Sequence, residues 1–193
     1  MLLFTSLFAK GGFAQPGGEP GGEGSIALVN GGFETGDFTG WTLANGSGWQ
    51  VASAGTTGNS DPRTGSFYAR VGGNAAGVAR RQTFDLVASG FTTGEIDAGT
   101  LMLSFTGWIG GEDGVNDGGR IRVNYLDGSM TLIDTTQTST TIAAAGVYVQ
   151  HAIGETIPAG TRFLQLDMVL RGNAGGSTLP FGDDFAASID YPA

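Results

Sequence analysis

The 193-residue chain has no cysteine, a single histidine (His151) and a single lysine (Lys10). Without thiols there is no thiol catalysis, no Cys-ligated zinc and no iron–sulfur cluster, and one histidine rules out a His-rich metal site. The missing cysteines leave the redox compartment open, because such a chain folds equally well inside or outside a cell. Positive charge is also scarce: nine Lys plus Arg stand against eighteen Asp plus Glu, a net charge of −9. The only adjacent basic pair, Arg80-Arg81, lies in a strand-like segment. That is not the footprint of a nucleic-acid binder, so no nucleic-acid partner is expected. No apolar run is long enough to span a bilayer.

What is present is glycine, 36 of them, with 12 Phe, 3 Trp and 40% hydrophobic residues overall. There is no Gly-X-Y period, which excludes collagen, and the apolar content is too high for disorder. The length suits one domain with an appendage.

The appendage is residues 1–25. It opens MLLFTSLFAK, where Leu3, Phe4, Leu7 and Phe8 form a short helical stripe, and continues into a Gly/Pro-rich linker over 11–24. No basic residue precedes the apolar run, which is short for a secretory signal. The preferred expectation is an arm that docks on a partner chain. A degenerate signal, or a segment folded back on its own domain, is the alternative.

From residue 26 to 193, strand patterns recur between Gly, Asp and Asn turns. Residues 120–128 place Ile121, Val123 and Tyr125 on one face and Arg120, Arg122 and Asn124 on the other. Residues 101–109 put Leu101, Leu103, Phe105 and Ile109 inward, and Met102, Ser104, Thr106 and Trp108 outward. In 162–171, Leu164, Leu166, Met168 and Leu170 oppose Gln165, Asp167 and Arg171. Further strands are expected at 26–30, 49–53, 66–72, 78–86, 130–135, 147–153 and 182–190, with no amphipathic helix beyond the arm. Short strands in this number predict an all-β, two-sheet antiparallel β-sandwich. Periodicity alone does not separate immunoglobulin-type from jelly-roll topology.

Four motifs carry a resemblance. Leu28-Val-Asn-Gly-Gly-Phe-Glu34 runs on through Gly36 to Gly40-Trp41. Thr64-Gly-Ser-Phe-Tyr-Ala-Arg70, Ile157-Pro-Ala-Gly-Thr-Arg162 and Phe181-Gly-Asp-Asp-Phe185 follow in order. Together they resemble the galactose-binding-like jelly-roll modules, in particular the carbohydrate-binding modules of families four, nine and twenty-two. The resemblance spans about 28 to 190 and implies the jelly roll, an opening strand at Asn30–Glu34 and a structural Ca²⁺ where the first and last strands meet. Glu34 and Asp183 would then supply carboxylates, and carbonyls of the 63–66 turn would complete the shell. Asp184 competes with Asp183, since strand alternation sends only one of them to the ion. A hard cation taking six to eight oxygens fits that chemistry.

A binding face is read from strand parity. Trp108 shares its face with Ser104 and Thr106, and Tyr68 and Arg70 oppose Phe67, Ala69 and Val71. With Arg122, Asn124 and Gln150, these would give an aromatic plane flanked by hydrogen-bonding groups, as sugars require, if the strands share one sheet. An inter-subunit surface, an arm contact or a sheet edge would use the same residues. Trp41 and Trp49 are expected in the core. The acidic loop 112–119 lacks EF-hand spacing and reads as a mobile loop. Asn45-Gly-Ser47 is a glycosylation sequon, meaningful only in a eukaryotic secretory pathway. No nucleophile elbow or phosphate loop occurs, and His151 shares parity with Val147, Val149 and Ile153, so no catalysis is expected.

The expected function is therefore a non-catalytic carbohydrate-binding-type module, acting in glycan binding, adhesion or decoration. It would be docked by its arm on a larger assembly such as a phage-like virion head or tail, at a virion surface or outside cells. A structural assembly protein without sugar binding, and a secreted module accompanying a glycoside hydrolase, are the alternatives. In the first two the chain is part of an oligomer or larger assembly.

Overall fold

Alternating apolar side chains commit most of the chain to strands whose inner faces meet. The computed structural model describes residues 24–56, 60–72, 77–112, 117–142, 144–172 and 179–191. The docking residues Leu3, Phe4, Leu7 and Phe8 lie outside this set, as does the centre of the acidic loop, 113–116. Among the described residues are eleven strands and one short helix: β1 Thr42–Asn45, β2 Trp49–Ser53, β3 Phe67–Val71, β4 Val78–Asp85, α1 Thr93–Asp97, β5 Met102–Gly110, β6 Gly118–Leu126, β7 Leu132–Gln137, β8 Thr141–Ile142, β9 Val149–Thr156, β10 Phe163–Arg171 and β11 Phe181–Asp190.

They form a two-sheet antiparallel jelly roll. One sheet has the order β2-β3-β11-β5-β9, and the other has β1-β4-β10-β6-β7 with β8 also paired to β6. Between them lies a core whose centre includes Leu103, Phe105, Ile121, Val123, Leu164, Leu166, Met168 and Phe185, all buried. These are the side chains that period-two alternation sends inward.

One end of the core is aromatic. Phe33 packs against Phe38, Trp41 and Phe185, with ring centroids 5.9, 5.7 and 6.2 Å away. Arg80 points into this cluster, its guanidinium 3.6 Å from the Phe38 ring centre and 5.7 Å from that of Trp49. Its neighbour Arg81 points out to Asp167, so strand alternation separates the one adjacent basic pair into two unrelated environments.

Two expectations are corrected. Residues 26–34 form no strand. Gln82 satisfies the backbone of Val29 on both sides, accepting from its N–H (3.0 Å) and donating to its carbonyl (2.7 Å). Asn30 and Phe33 then adopt positive φ, 53° and 59°, in consecutive turns that put Phe33 in the core. Gly31 lies so close to the Phe185 carbonyl that any Cβ there would collide with backbone. The second correction is α1, where Thr92 and Glu95 form a reciprocal capping box. The pattern was in the sequence, but the helix is too short to show an amphipathic period. No helix among the described residues is long and apolar enough to cross a membrane.

The Gly31 approach gives a direct check. Gly31→Ala should destabilise the fold by about 1–3 kcal/mol, the usual cost of forcing extra volume into packed structure, read as a lower urea midpoint.

Candidate functional site

The outer face of the five-stranded sheet carries four of the residues expected there. In the strand register Trp108 of β5 lies opposite Gln150 of β9 on one side and Asp183 of β11 on the other. Arg70 of β3 lies opposite Gln50 of β2 and donates to it (2.7 Å). Tyr68 is on the same face but is not open to a ligand. With Ala52 and Phe181 it forms a small second core, packed by Tyr148. The 60–61 segment seals it: the Tyr68 and Ser60 hydroxyls are 2.8 Å apart, and Tyr148 donates to the Asp61 carbonyl (3.1 Å). Ser60 also donates to Glu112, at the edge of the acidic loop (2.8 Å).

Arg122 and Asn124 belong to β6, in the other sheet, and therefore face the opposite side of the molecule. Their partners explain them. The Asp167 carboxylate, fully buried, takes Nε of Arg81 (2.6 Å) and Nη2 of Arg122 (2.5 Å) from the two strands flanking β10. Asn124 holds Gln165 (3.4 Å) and Thr135 (3.0 Å).

The three carboxylates expected to hold calcium do converge on the turn before β3. Glu34 accepts from the N–H groups of Ser66 (2.9 Å) and Phe67 (3.1 Å). Asp183 accepts from Arg63 N–H (2.9 Å), Thr64 N–H (3.5 Å) and Asp184 N–H (2.8 Å). Asp184 takes the Arg63 guanidinium (2.6 Å) and the Thr64 hydroxyl (2.6 Å). Alternation does not choose between the two aspartates, because Asp184 has a positive φ of 50° and the β11–β5 register slips between Asp183 and Ala186.

As arranged, this donor set does not fit a calcium shell. The turn presents N–H groups to the carboxylates where an ion needs carbonyls, and Arg63 already supplies the countercharge at Asp184. Among the described residues no group of three or more His, Cys, Asp or Glu is arranged to hold a metal. The cluster works as a hydrogen-bonded clasp between the chain's opening turns, β3 and β11.

Arg63 links this clasp to the exposed face. Besides its contacts to Asp183 and Asp184, its guanidinium lies 3.8 Å over the Trp108 ring centre. The contact packs the guanidinium against one face of the Trp108 ring, a cation–π geometry. Along the sheet from Trp108 the outer positions are small or hydroxylated: Thr106, Ser104, Ala152, Gly154, Ala186 and Ser188. Parity located Trp108 and Gln150; Arg63 was missed because it lies in a loop with no period to read.

His151 points inward, buried, with Nδ1 2.8 Å from the Thr138 hydroxyl, and burial lowers its pKa. Trp41 is core, donating to the Asn30 carbonyl (3.1 Å), and Trp49 packs against the core.

No protein-family model matches the chain, and no curated protein does. Solved structures do. The CBM22-1 xylan-binding domain of Xyn10C from Paenibacillus barcinonensis is 14% identical, with a TM-score of 0.57 over 88% of this chain and 98% of that one. The fold resembles that of this carbohydrate-binding module. The same architecture occurs in the Stig cyclase Fisc from Fischerella sp. TAU (16% identity, TM-score 0.58, 88% and 100% covered). It occurs again in the enzymatically active domain of bacteriophage CBA120 tailspike protein 4 (12% identity, TM-score 0.57). There 84% of this chain is covered, but only 21% of the tailspike chain. At such identities the likeness is one of fold, and fold alone assigns no ligand.

Two outcomes test the clasp. Burial pushes the Asp183 carboxyl up to about 7, against backbone N–H groups that act the other way. The folded state thus holds that proton more tightly than the unfolded chain does. Its stabilising contribution is complete below about pH 4 and is lost as pH rises through about 7. The gap in urea midpoint between wild type and Asp183→Asn should therefore change between pH 5 and pH 8, with wild type losing more stability at the higher pH. Second, calcium and chelator should leave the melting temperature unchanged. A calcium-induced rise of about 2–4 °C, on the order of 1 kcal/mol at this chain length, would mean that the ion displaces Arg63 and the amides.

Proposed function

We propose that the chain is a non-catalytic glycan-binding module that seats its ligand on the outer face of the five-stranded sheet, against Trp108. The observation that carries this reading is the Trp108 ring, half-buried on an outer face and held under Arg63 at 3.8 Å. Gln150 is directly opposite it, exposed, and the strip of small and hydroxylated side chains continues from it. A sugar's C–H face stacks on such a plane while flanking amide and hydroxyl groups take its hydroxyls. The xylan-binding neighbour supports the class of ligand, and the tailspike neighbour supports a place on a virion or outside cells. Arg70 lies farther along the same face, with Gln50. The cyclase and tailspike neighbours show that the fold also occurs in enzymes. Here the carboxyl shifted to about 7, Asp183, neighbours Trp108 in the register but is fully buried and taken up by three backbone N–H groups of the clasp, which supports binding over chemistry.

Adhesion or decoration on a larger particle, through the apolar arm, belongs to the same proposal. An assembly role without sugar has one observation of its own. The edge strand β7 and the turn before it expose Met130, Leu132 and Ile133, and apolar edges of this kind invite a partner.

Affinity electrophoresis against a polysaccharide panel including xylan checks the reading. At least one polysaccharide should retard the full chain, and Trp108→Ala should weaken that retardation by about tenfold or more, as removal of a stacking aromatic does. Retardation that survives in Trp108→Ala would remove the proposed face. Absence of retardation, together with loss of self-association in Leu132→Lys or Ile133→Lys, would favour the assembly role.

A further inference from the structure

The opposite face of the sandwich holds an arginine pair that the clasp and the Trp108 face do not use. Of eight arginines, four project from the outer face of the six-stranded sheet: Arg81, Arg120, Arg122 and Arg171. Asp167 pairs with both Arg81 and Arg122, a single carboxylate shared between two guanidiniums. Arg120 and Arg171 have no carboxylate partner among the described residues. Arg120 donates through Nη1 to the Thr140 hydroxyl (3.2 Å), and its buried Nε has no partner. Arg171, at the end of β10, is exposed. In a chain of net charge −9, two uncompensated guanidiniums side by side are out of keeping with the rest of the surface.

Between them is a cavity of ≈ 290 Å³, lined by Gly77, Gly119, Arg120, Thr140, Val169 and Arg171. Its shape has a backbone cause. Gly119 cannot carry a side chain, because a Cβ would strike the Val169 carbonyl, and Gly77 sits at a positive φ of 76° with open space beside it. The volume is at the low end for ligand sites, which suits one sugar unit and not an extended chain. The polar groups suit an oxyanion. Guanidinium forks pair bidentately with carboxylate or sulfate, the Thr140 hydroxyl meets a sugar hydroxyl, and Val169 offers an apolar patch to ring C–H groups. The acidic remainder of the surface does not cancel this pull, since fields between exposed charges are screened beyond about 8 Å at physiological ionic strength.

We propose that this cavity binds the acidic group of a sugar residue, a uronate carboxylate or a sulfate ester, between Arg120 and Arg171. The sugar half rests on the glycan reading above; the anion half rests on the two arginines alone. The occupied face is opposite Trp108, so the two sites are independent.

Isothermal titration of the full chain with a galacturonate trimer, a sulfated galactose trimer, a neutral galactose trimer and inorganic sulfate tests this. At least one acidic trimer should bind more tightly than both the neutral trimer and inorganic sulfate. That binding should weaken by about tenfold or more in Arg171→Glu, and between about 50 and about 500 mM NaCl, but not in Trp108→Ala. Arg171 is exposed, so its variant folds even if Arg120→Ala does not. Failure of both acidic trimers to bind at low salt, or binding unaffected by Arg171→Glu, overturns the proposal. Acidic-sugar binding lost only in Trp108→Ala overturns it too, while upholding the glycan face. Inorganic sulfate binding as tightly as the trimers overturns the sugar half.

Discussion

The break in β11 at Asp183-Asp184 is the constraint on which the rest depends. A continuous strand would pair with β3 along its length. Instead β11 pairs with β3 only at Phe181 and Gly182, and Asp184 turns to positive φ. The break exposes two carboxylates to the turn before β3, and that turn answers with amide N–H groups and Arg63. Past the break Phe185 enters the core, where it meets Phe33, Trp41 and Phe105. The opening turns are held by the same event, since the Phe185 amide donates to the Gly31 carbonyl (3.0 Å). One irregularity thus fixes the aromatic end of the core, the entry of the chain and the guanidinium over Trp108.

Burying a carboxylate such as Asp183 is costly unless every lone pair is answered. Three backbone N–H groups reduce that cost without cancelling it, which is why the carboxyl stays shifted toward its neutral form. Asp167 solves the same problem differently, with two arginines from neighbouring strands. Only Asp167 lies beneath guanidinium groups; at Asp183 the Arg63 amide is the donor, and the Arg63 guanidinium goes to the neighbouring Asp184. Arg120 and Arg171 have no carboxylate partner among the described residues and, unlike Arg70 and Arg80, which meet Gln50 and the aromatic cluster, together line a cavity.

The individual strands were legible because their inner faces are continuous: Leu164, Leu166 and Met168, or Leu103 and Phe105, allow no other parity. The sheet to which each strand belongs was not. Trp108 and Arg122 both project outward from strands adjacent in sequence, yet β5 and β6 lie in different sheets, and parity carries no information about which. Tyr68 had the right parity and the wrong fate, since a loop with no period of its own covers it. A strand was expected at 26–30 from the residues and at Asn30–Glu34 from the resemblance, and neither forms. The path of this segment was set instead by Gln82 and Phe185, more than fifty residues away in the chain.

The two outer faces offer different chemistry because the strands beneath them differ. On the five-stranded sheet, Thr106, Ala152, Ala186 and Ser188 keep the surface shallow, so an aromatic ring at one end is the main feature a ligand meets. Such a surface suits an extended polymer held by stacking, in which each contact is weak and little desolvation is required. On the six-stranded sheet, Gly77 and Gly119 open a hollow between arginines, which suits a single charged unit and gains from charge–charge contact. A polymer carrying occasional acidic residues could engage both faces only by spanning the molecule. Separate chains, or a chain wrapped around the sheet edge at β7, are the geometries the sandwich permits. A chain that took the β7 edge would cross the exposed Leu132 and Ile133.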